Sequence, residues 1–285
     1  MTTVVEKQAA MAALSRRWRA AGKTVGFVPT MGALHEGHAS LVRRARREND
    51  RVVVSVFVNP AQFGPNEDFS RYPRTFAADR KLCAAAGADA VYHPSVEQVY
   101  PEGFGTMVEP PAALTTVLEG AFRPGHFLGV ATVVLKLLET ARPTRAYFGE
   151  KDFQQLAVLR RMRQDLDLDV EIVGCPTVRE DDGLALSSRN VYLSPDERLA
   201  APAIQAALSA AAAKARADRA GSPRAVEALG RKLILGVIPE ARIDYVALAD
   251  AATLRPARVL RGELRLLAAV RVGKTRLIDN IPVSL

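Results

Sequence analysis

Cysteine is nearly absent from this sequence. Cys83 and Cys175 are the only two, far apart and without C-x-x-C spacing. That argues against a disulfide framework or a zinc ribbon and suits a reducing cytoplasm. Nowhere do roughly eighteen apolar residues run together, so no segment reads as a membrane span. The segment Met1–Gly22 lacks the apolar stretch of a secretory signal. Acidic residues are in deficit, 31 against 39 Lys and Arg, for a net charge of +8. Counting from Asp196 onward gives 15 basic and 9 acidic residues, so +6 of the charge lies in the C-terminal third. Those charges are scattered and not interleaved with aromatics, as a nucleic-acid platform would require. The one dense cluster, Arg43-Arg44-Ala45-Arg46-Arg47, reads as a solvated helix face rather than a nucleic-acid patch. Internal repeats and low-complexity tails are missing too.

What is present is an ordinary globular composition, 48% hydrophobic and 25% charged over 285 residues, enough for one large domain or two ordinary ones. A helix pattern over Glu6–Ala21 precedes a Val- and Phe-rich run, Val25–Val28, that Pro29 and Gly32 close. A second strand, Arg51–Val58, is apolar almost throughout and leads into a turn-rich loop, Asn59–Asn66. Helix (Phe76–Ala86), strand (Asp89–Tyr92), helix (Gly129–Thr140), strand (Arg145–Phe148), helix (Phe153–Leu166) and strand (Val170–Val173) follow. Periodicity weakens between Pro94 and Pro124. Alternation without tight hairpins predicts an α/β fold, a parallel sheet with helices on both faces. Beyond Ser194 the pattern changes. An alanine-rich helix over Pro195–Ala220, a turn at Gly221-Ser222-Pro223 and a helix over Arg224–Leu235 precede strands at Arg242–Leu248, Leu264–Val272 and Thr275–Val283. The last two read as an antiparallel hairpin about Val272-Gly273-Lys274. We expect two domains, 1–177 and a smaller α+β domain, 178–285.

Chemistry concentrates where strands end. His35-Glu36-Gly37-His38 stands between the first strand and a helix, where unpaired N–H groups and the helix dipole favour anions. Zinc is a poor alternative, because the histidines are three apart with glycine between them rather than four apart on an established helix. Lys151-Asp152 follows another strand, Gln62 lies in a proline-flanked loop, and Gln154-Gln155 opens a helix with one glutamine expected to face solvent. Leu186-Ser187-Ser188-Arg189-Asn190 is a polar turn. Singly each is a weak signal. Together they supply cations, hydroxyls and amides, with no nucleophile elbow among them.

Five ordered blocks carry a resemblance along nearly the whole chain: Val28–His38, Phe57–Phe63, Tyr72–Thr75, Phe148–Gln155 and Arg179–Asn190. With them the sequence resembles the pantoate–β-alanine ligase (pantothenate synthetase) family of the nucleotidylyl transferase superfamily. The resemblance implies a Rossmann-like ATP- and pantoate-binding domain with a C-terminal lid. It also implies a cytoplasmic homodimer formed through the N-terminal domain, with no nucleic-acid or membrane partner. The implied reaction is condensation of pantoate with β-alanine through pantoyl adenylate, releasing pyrophosphate and AMP. It implies catalytic roles for His35, His38, Lys151 and Arg189, with His38 the proton donor. ATP would lie against Met31, Gly32, His35, His38, Gly149, Lys151, Asp152, Val178, Leu186, Ser187, Ser188 and Arg189. Pantoate and β-alanine would lie against Asn59, Gln62 and Gln155. Asp79 matches a magnesium-associated acid, although the position before it is Ala78, and Arg123 and His126 fall in a family block with either a pyrophosphate-side or a structural role. A phosphate-ester acceptor, as in other nucleotidylyl transferases, would favour Arg or Lys over Gln62 and Gln155.

Overall fold

The computed structural model describes residues 2–65 and 67–285; Met1, and Asn66 of the expected turn-rich loop, lie outside them. Six strands form one wholly parallel sheet: β1 (Thr3–Val5), β2 (Val25–Thr30), β3 (Arg51–Val56), β4 (Ala90–Tyr92), β5 (Arg145–Gly149) and β6 (Glu171–Cys175), in the spatial order β1-β4-β3-β2-β5-β6. The edge strand β1 is a departure from the expected N-terminal helix. Three residues are too few for a periodic signal, and only pairing to β4 reveals them. The helices of this part are α1 (Gln8–Ala20), α2 (Glu36–Glu48), α3 (Phe76–Ala85), α7 (His126–Ala141) and α8 (Phe153–Asp165). The stretch of weak periodicity holds three single-turn helices, α4 (Val96–Val99), α5 (Ala112–Thr115) and α6 (Glu119–Phe122).

Both faces of this sheet are covered, and the alternation of side chains shows it. Phe27, Val53, Ala146 and Phe148 pack with Met11, Leu137 and Leu159 of α1, α7 and α8. Their chain neighbours Val28, Val52, Val54 and Tyr147 pack with Leu41, Val42 and Cys83 of α2 and α3. Successive strand residues thus serve opposite cores, which is why the strands read as continuous apolar runs. The arginine cluster on α2 is only partly solvated. Arg44 donates to the Gly174 carbonyl and Arg46 to Asp89, while Arg43 and Arg47 stay exposed.

The C-terminal part is an antiparallel sheet of β7 (Arg242–Asp250), β8 (Glu263–Val272) and β9 (Thr275–Ser284), backed by α10 (Ala203–Ala217) and α11 (Pro223–Val237). The expected single helix over Pro195–Ala220 is broken into α9 (Pro195–Ala200) and α10, because Pro202 has no N–H to continue the ladder. Buried Ala207, Ala211 and Ala215 on α10 keep it close to the sheet. Tyr245, Leu267 and Ala269 of this sheet share a core with Leu114, Phe127, Phe153 and Val158, so the two parts are packed together. Among the described residues no helix is long and apolar enough to cross a membrane.

Strand order reverses between β2 and β5, and the crevice beyond their carboxyl ends is where such sheets bind ligands. The loop after β2, the 3₁₀ turn Pro60–Gln62 after β3 and the 3₁₀ turn Glu150–Asp152 after β5 all open there. α7 forms the floor, and Gly129 lets the 59–62 turn rest on it: a Cβ there would stand 2.1 Å from the Ala61 carbonyl oxygen. Gly129→Ala should therefore shift that turn and destabilise the fold by about 1–3 kcal/mol in urea melts, the usual range for overpacking; a neutral substitution would contradict this packing.

Candidate active site

The site is built on the start of α2. His35 is its N-cap in extended backbone, and its Nδ1 accepts from the Gly37 N–H at 3.2 Å. The His38 Nδ1 in turn accepts from the His35 N–H at 3.3 Å, so the two imidazoles form a reciprocal capping box. Gly37 is required between them, since a Cβ would stand 2.9 Å from the His35 ring. An Nδ1 that accepts is unprotonated, so each neutral ring carries its proton on Nε2. Burial first, then Lys151, holds His35 down at about 4. Burial, then His35, pushes His38 down to about 3. The pair therefore presents two N–H donors and no titrating acid near neutrality.

These rings line a cavity of about 220 Å³ with Met31, Asn59, Gln62, Gly149, Lys151, Asp152, Gln155, Val178, Leu186, Ser187, Ser188 and Arg189, and its floor is Val130, Val133, Val134 and Leu137 of α7. It shares Lys151, Asp152, Ser187 and Arg189 with a second cavity of about 510 Å³ toward the C-terminal sheet. Gln62 is oriented: its Oε1 accepts from Asn59 and its Nε2 donates toward Met31 Sδ at 2.9 Å, which turns the N–H side to the cavity. Gln155 is half-buried and makes no side-chain hydrogen bond among the described residues. Neither glutamine of the pair faces solvent. Gln154 is buried and bridges the Glu119 N–H and the Leu114 and Val117 carbonyls.

Several expected contacts are engaged elsewhere. Asn59 is 1% exposed and fully used, donating to Gln62 and the Gly129 carbonyl and accepting from Ala61 and Tyr100; it holds Gln62 rather than offering itself. Gly32 and Asp79 lie outside the histidine cavity, against a separate apolar pocket. Both Asp79 oxygens accept from the loop, from Leu34 N–H at 2.8 Å and Ala33 N–H at 3.1 Å, with Thr75 adding a third bond. Ala33 sits in the left-handed region at φ 50°, and this carboxylate holds it there. Asp79 is therefore engaged in holding this loop. Arg189 makes a bidentate pair with Asp68 at 2.9 and 3.1 Å. Arg123 is likewise paired with Glu67 and donates to His126 Nε2 at 3.0 Å. The His126 Nδ1–H donates to the Gln62 carbonyl at 2.8 Å, so Arg123 and His126 prop the glutamine turn. Lys151 is looser, its Nζ 3.8 Å from Asp152. Sequence reasoning missed the pairing of Tyr72 with Ser188, 3.2 Å apart, although Tyr72 stands in a family block.

A family model for pantoate-beta-alanine ligase matches residues 3–282. Pantothenate synthetase of Moorella thermoacetica is 52% identical over 263 residues, 92% of each chain. That of Heliobacterium modesticaldum is 53% identical over 284 residues, 99% of each. Among solved structures, pantothenate synthetase from Thermus thermophilus superposes with a TM-score of 0.93 and 51% identity over all of both chains. The Francisella tularensis pantoate-beta-alanine ligase complexed with beta-gamma ATP and beta-alanine has a TM-score of 0.80 and 34% identity, covering 99% of this chain and 97% of that one.

The tautomers and pKa shifts are directly measurable. Nitrogen-15 spectra of the histidines should show His35 and His38 as Nε2–H, and His126 and His93 as Nδ1–H, the last because it donates to the Val56 carbonyl at 2.7 Å. With His35, His38 and His126 all held below the ordinary 6.5, the unfolded chain binds more protons than the folded one as pH falls below that value. Their contribution is thus intact above pH 6.5 and is lost progressively toward about 4 for His35 and His126 and about 3 for His38. His126→Gln should flatten that slope in denaturant melts taken across the range.

Proposed function

Because the chain belongs to the pantoate–β-alanine ligase family, we propose that it condenses pantoate with β-alanine, using ATP, through pantoyl adenylate. The observation that carries this reading is the lining of one cavity by two unlike sets of groups. The two Nε2–H donors and Lys151 suit phosphates; the oriented amide of Gln62 and the unpartnered Gln155 suit a hydroxy acid.

Pantoate's carboxylate attacks the α-phosphorus of ATP, and the bond to the β-phosphate oxygen breaks to release pyrophosphate. Such transfer needs positioning and charge neutralisation rather than a protein nucleophile. His35 and His38 donate hydrogen bonds to phosphate oxygens through the Nε2–H groups that their capping bonds leave free. Lys151, Ser187, Ser188 and Arg189 hold the outer phosphates, which requires Arg189 to exchange Asp68 for the nucleotide as residues 178–285 close over it. Gly149, Asp152, Val178 and Leu186 frame the nucleoside side. Gln62 and Gln155 orient pantoate, and a neutral amide does so without blunting the carboxylate's nucleophilicity. The amine of β-alanine then attacks the acyl carbon beside Gln62, a proton leaves the nitrogen, and AMP departs. Mg²⁺ bound with ATP would screen the charge of the phosphates, and Asp79, engaged with the loop, would act through the position of that loop.

Exchange of labelled pyrophosphate into ATP should require pantoate and proceed without β-alanine. His38→Ala and Lys151→Ala should each slow it by about 10²–10³-fold, the range for removing one oriented donor. Formation of ADP, or exchange without pantoate, would refute the scheme. Asp79→Asn should raise the KM for ATP while leaving the Mg²⁺ dependence of the rate unchanged; a shifted Mg²⁺ dependence would restore Asp79 as a ligand.

A further inference from the structure

The two loops expected to meet the phosphates are distant in sequence and belong to different parts of the fold. One is the turn Glu150–Asp152 after β5; the other is the segment 183–189 beyond β6. A single dipeptide of β9 holds the first directly and the second through Arg179. Asn280 is 3% exposed, and its Nδ2 donates to the carbonyls of Glu150 at 3.0 Å and Lys151 at 2.9 Å. Its Oδ1 accepts from Arg265 Nε at 2.6 Å, and the same guanidinium reaches the Glu150 carboxylate at 2.9 Å and lies 4.2 Å over the Phe153 ring. The neighbouring Asp279, 6% exposed, accepts from both terminal nitrogens of Arg179 at 2.6 and 2.8 Å. Arg179 also holds the Gly183 carbonyl and bridges to Ala185, which fixes the turn that delivers Ser187. Successive strand side chains leave on opposite faces, so adjacent residues can serve two loops.

We propose that Asp279-Asn280 is the positioning element that sets Lys151 and Ser187–Arg189 in register for the phosphates. The proposal rests on the reading that Lys151 and Arg189 meet ATP. It goes beyond that reading by assigning function to two strand residues that touch no substrate. The chemistry of Asn280 favours alignment over plain adhesion. Every polar group of the amide is satisfied, and two of its bonds end on the backbone of the very turn that carries Lys151. A shift of about 1 Å in such a turn is enough to cost a rate of order 10²-fold.

Asn280→Asp separates alignment from stability, because the carboxylate keeps the acceptor for Arg265 while losing both donors to the turn. The variant should melt within about 5 °C of the parent, a change worth roughly 3 kcal/mol at this size. Its KM for ATP should rise about 10-fold, with pyrophosphate exchange falling by a similar factor. Its turnover of supplied pantoyl adenylate with β-alanine should stay within about 2-fold, since that step has no outer phosphates to align. Hydrogen exchange without ligand should quicken at 149–153 and not across β2 and β3. In a Lys151→Ala background the substitution should add little, as expected for residues acting as one unit. An unchanged KM for ATP, or an additive effect in that background, would overturn the proposal. A silent Lys151→Ala would instead bring down the underlying site reading, and the proposal with it. Asp279→Asn is the second arm, should the first variant not fold: it should quicken exchange at 183–189 and raise the KM for ATP, and an unchanged KM would equally overturn the assignment.

Discussion

Two imidazole nitrogens that accept backbone N–H groups at the start of α2 are the constraint on which the remaining geometry depends. A helix start leaves N–H groups without partners, and side chains that cap it are usually oxygen-bearing. Using histidine instead fixes which ring nitrogen is protonated and directs that proton outward. The glycine between the rings, the buried carboxylate of Asp79 under the loop and the left-handed Ala33 are all conditions for that cap to form. The bonds that cap the helix at Nδ1 are what leave both Nε2–H groups to the cavity.

Around this cap, charge is held in reserve. Arg189 and Arg123 are matched by Asp68 and Glu67, adjacent residues of one segment, at hydrogen-bond distance. A cluster of unmatched cations lining a cleft would repel itself. Ion pairing relieves this without removing the groups, and a polyanion with more acceptor oxygens than one carboxylate can compete for them. Lys151, set on the sheet side, is less tightly engaged. Gln62 is held differently, by bonds from Asn59, Arg123 and His126.

Much of this was legible in the residues. The parallel sheet followed from continuous apolar runs alternating with helices, and the C-terminal hairpin from its turn. The histidine pair, Lys151, Gln62, Gln155 and Ser187–Arg189 do share one cavity. What escaped depended on partners distant in sequence. β1 is defined by its pairing to β4, and the break at Pro202 was visible but masked by an alanine-rich helical composition. Asn59 and Asp79 have the right chemistry for ligands, yet their oxygens accept from partners distant in sequence, Tyr100 for Asn59 and Ala33 and Leu34 for Asp79. The same holds for Asn280, whose contact with Lys151 spans 129 residues.

That separation has a temporal side. Strand β9 is the last of the nine described strands to be made, while β2, α2 and β5 emerge from the ribosome far earlier. At the usual 5–20 residues per second, roughly ten seconds pass between synthesis of Lys151 and of the asparagine that grips its turn. During that interval the histidine cap can form, since its bonds are local, but the lysine turn lacks its brace. A nascent chain would thus hold half of a nucleotide site, and the act of finishing β9 would be what completes it.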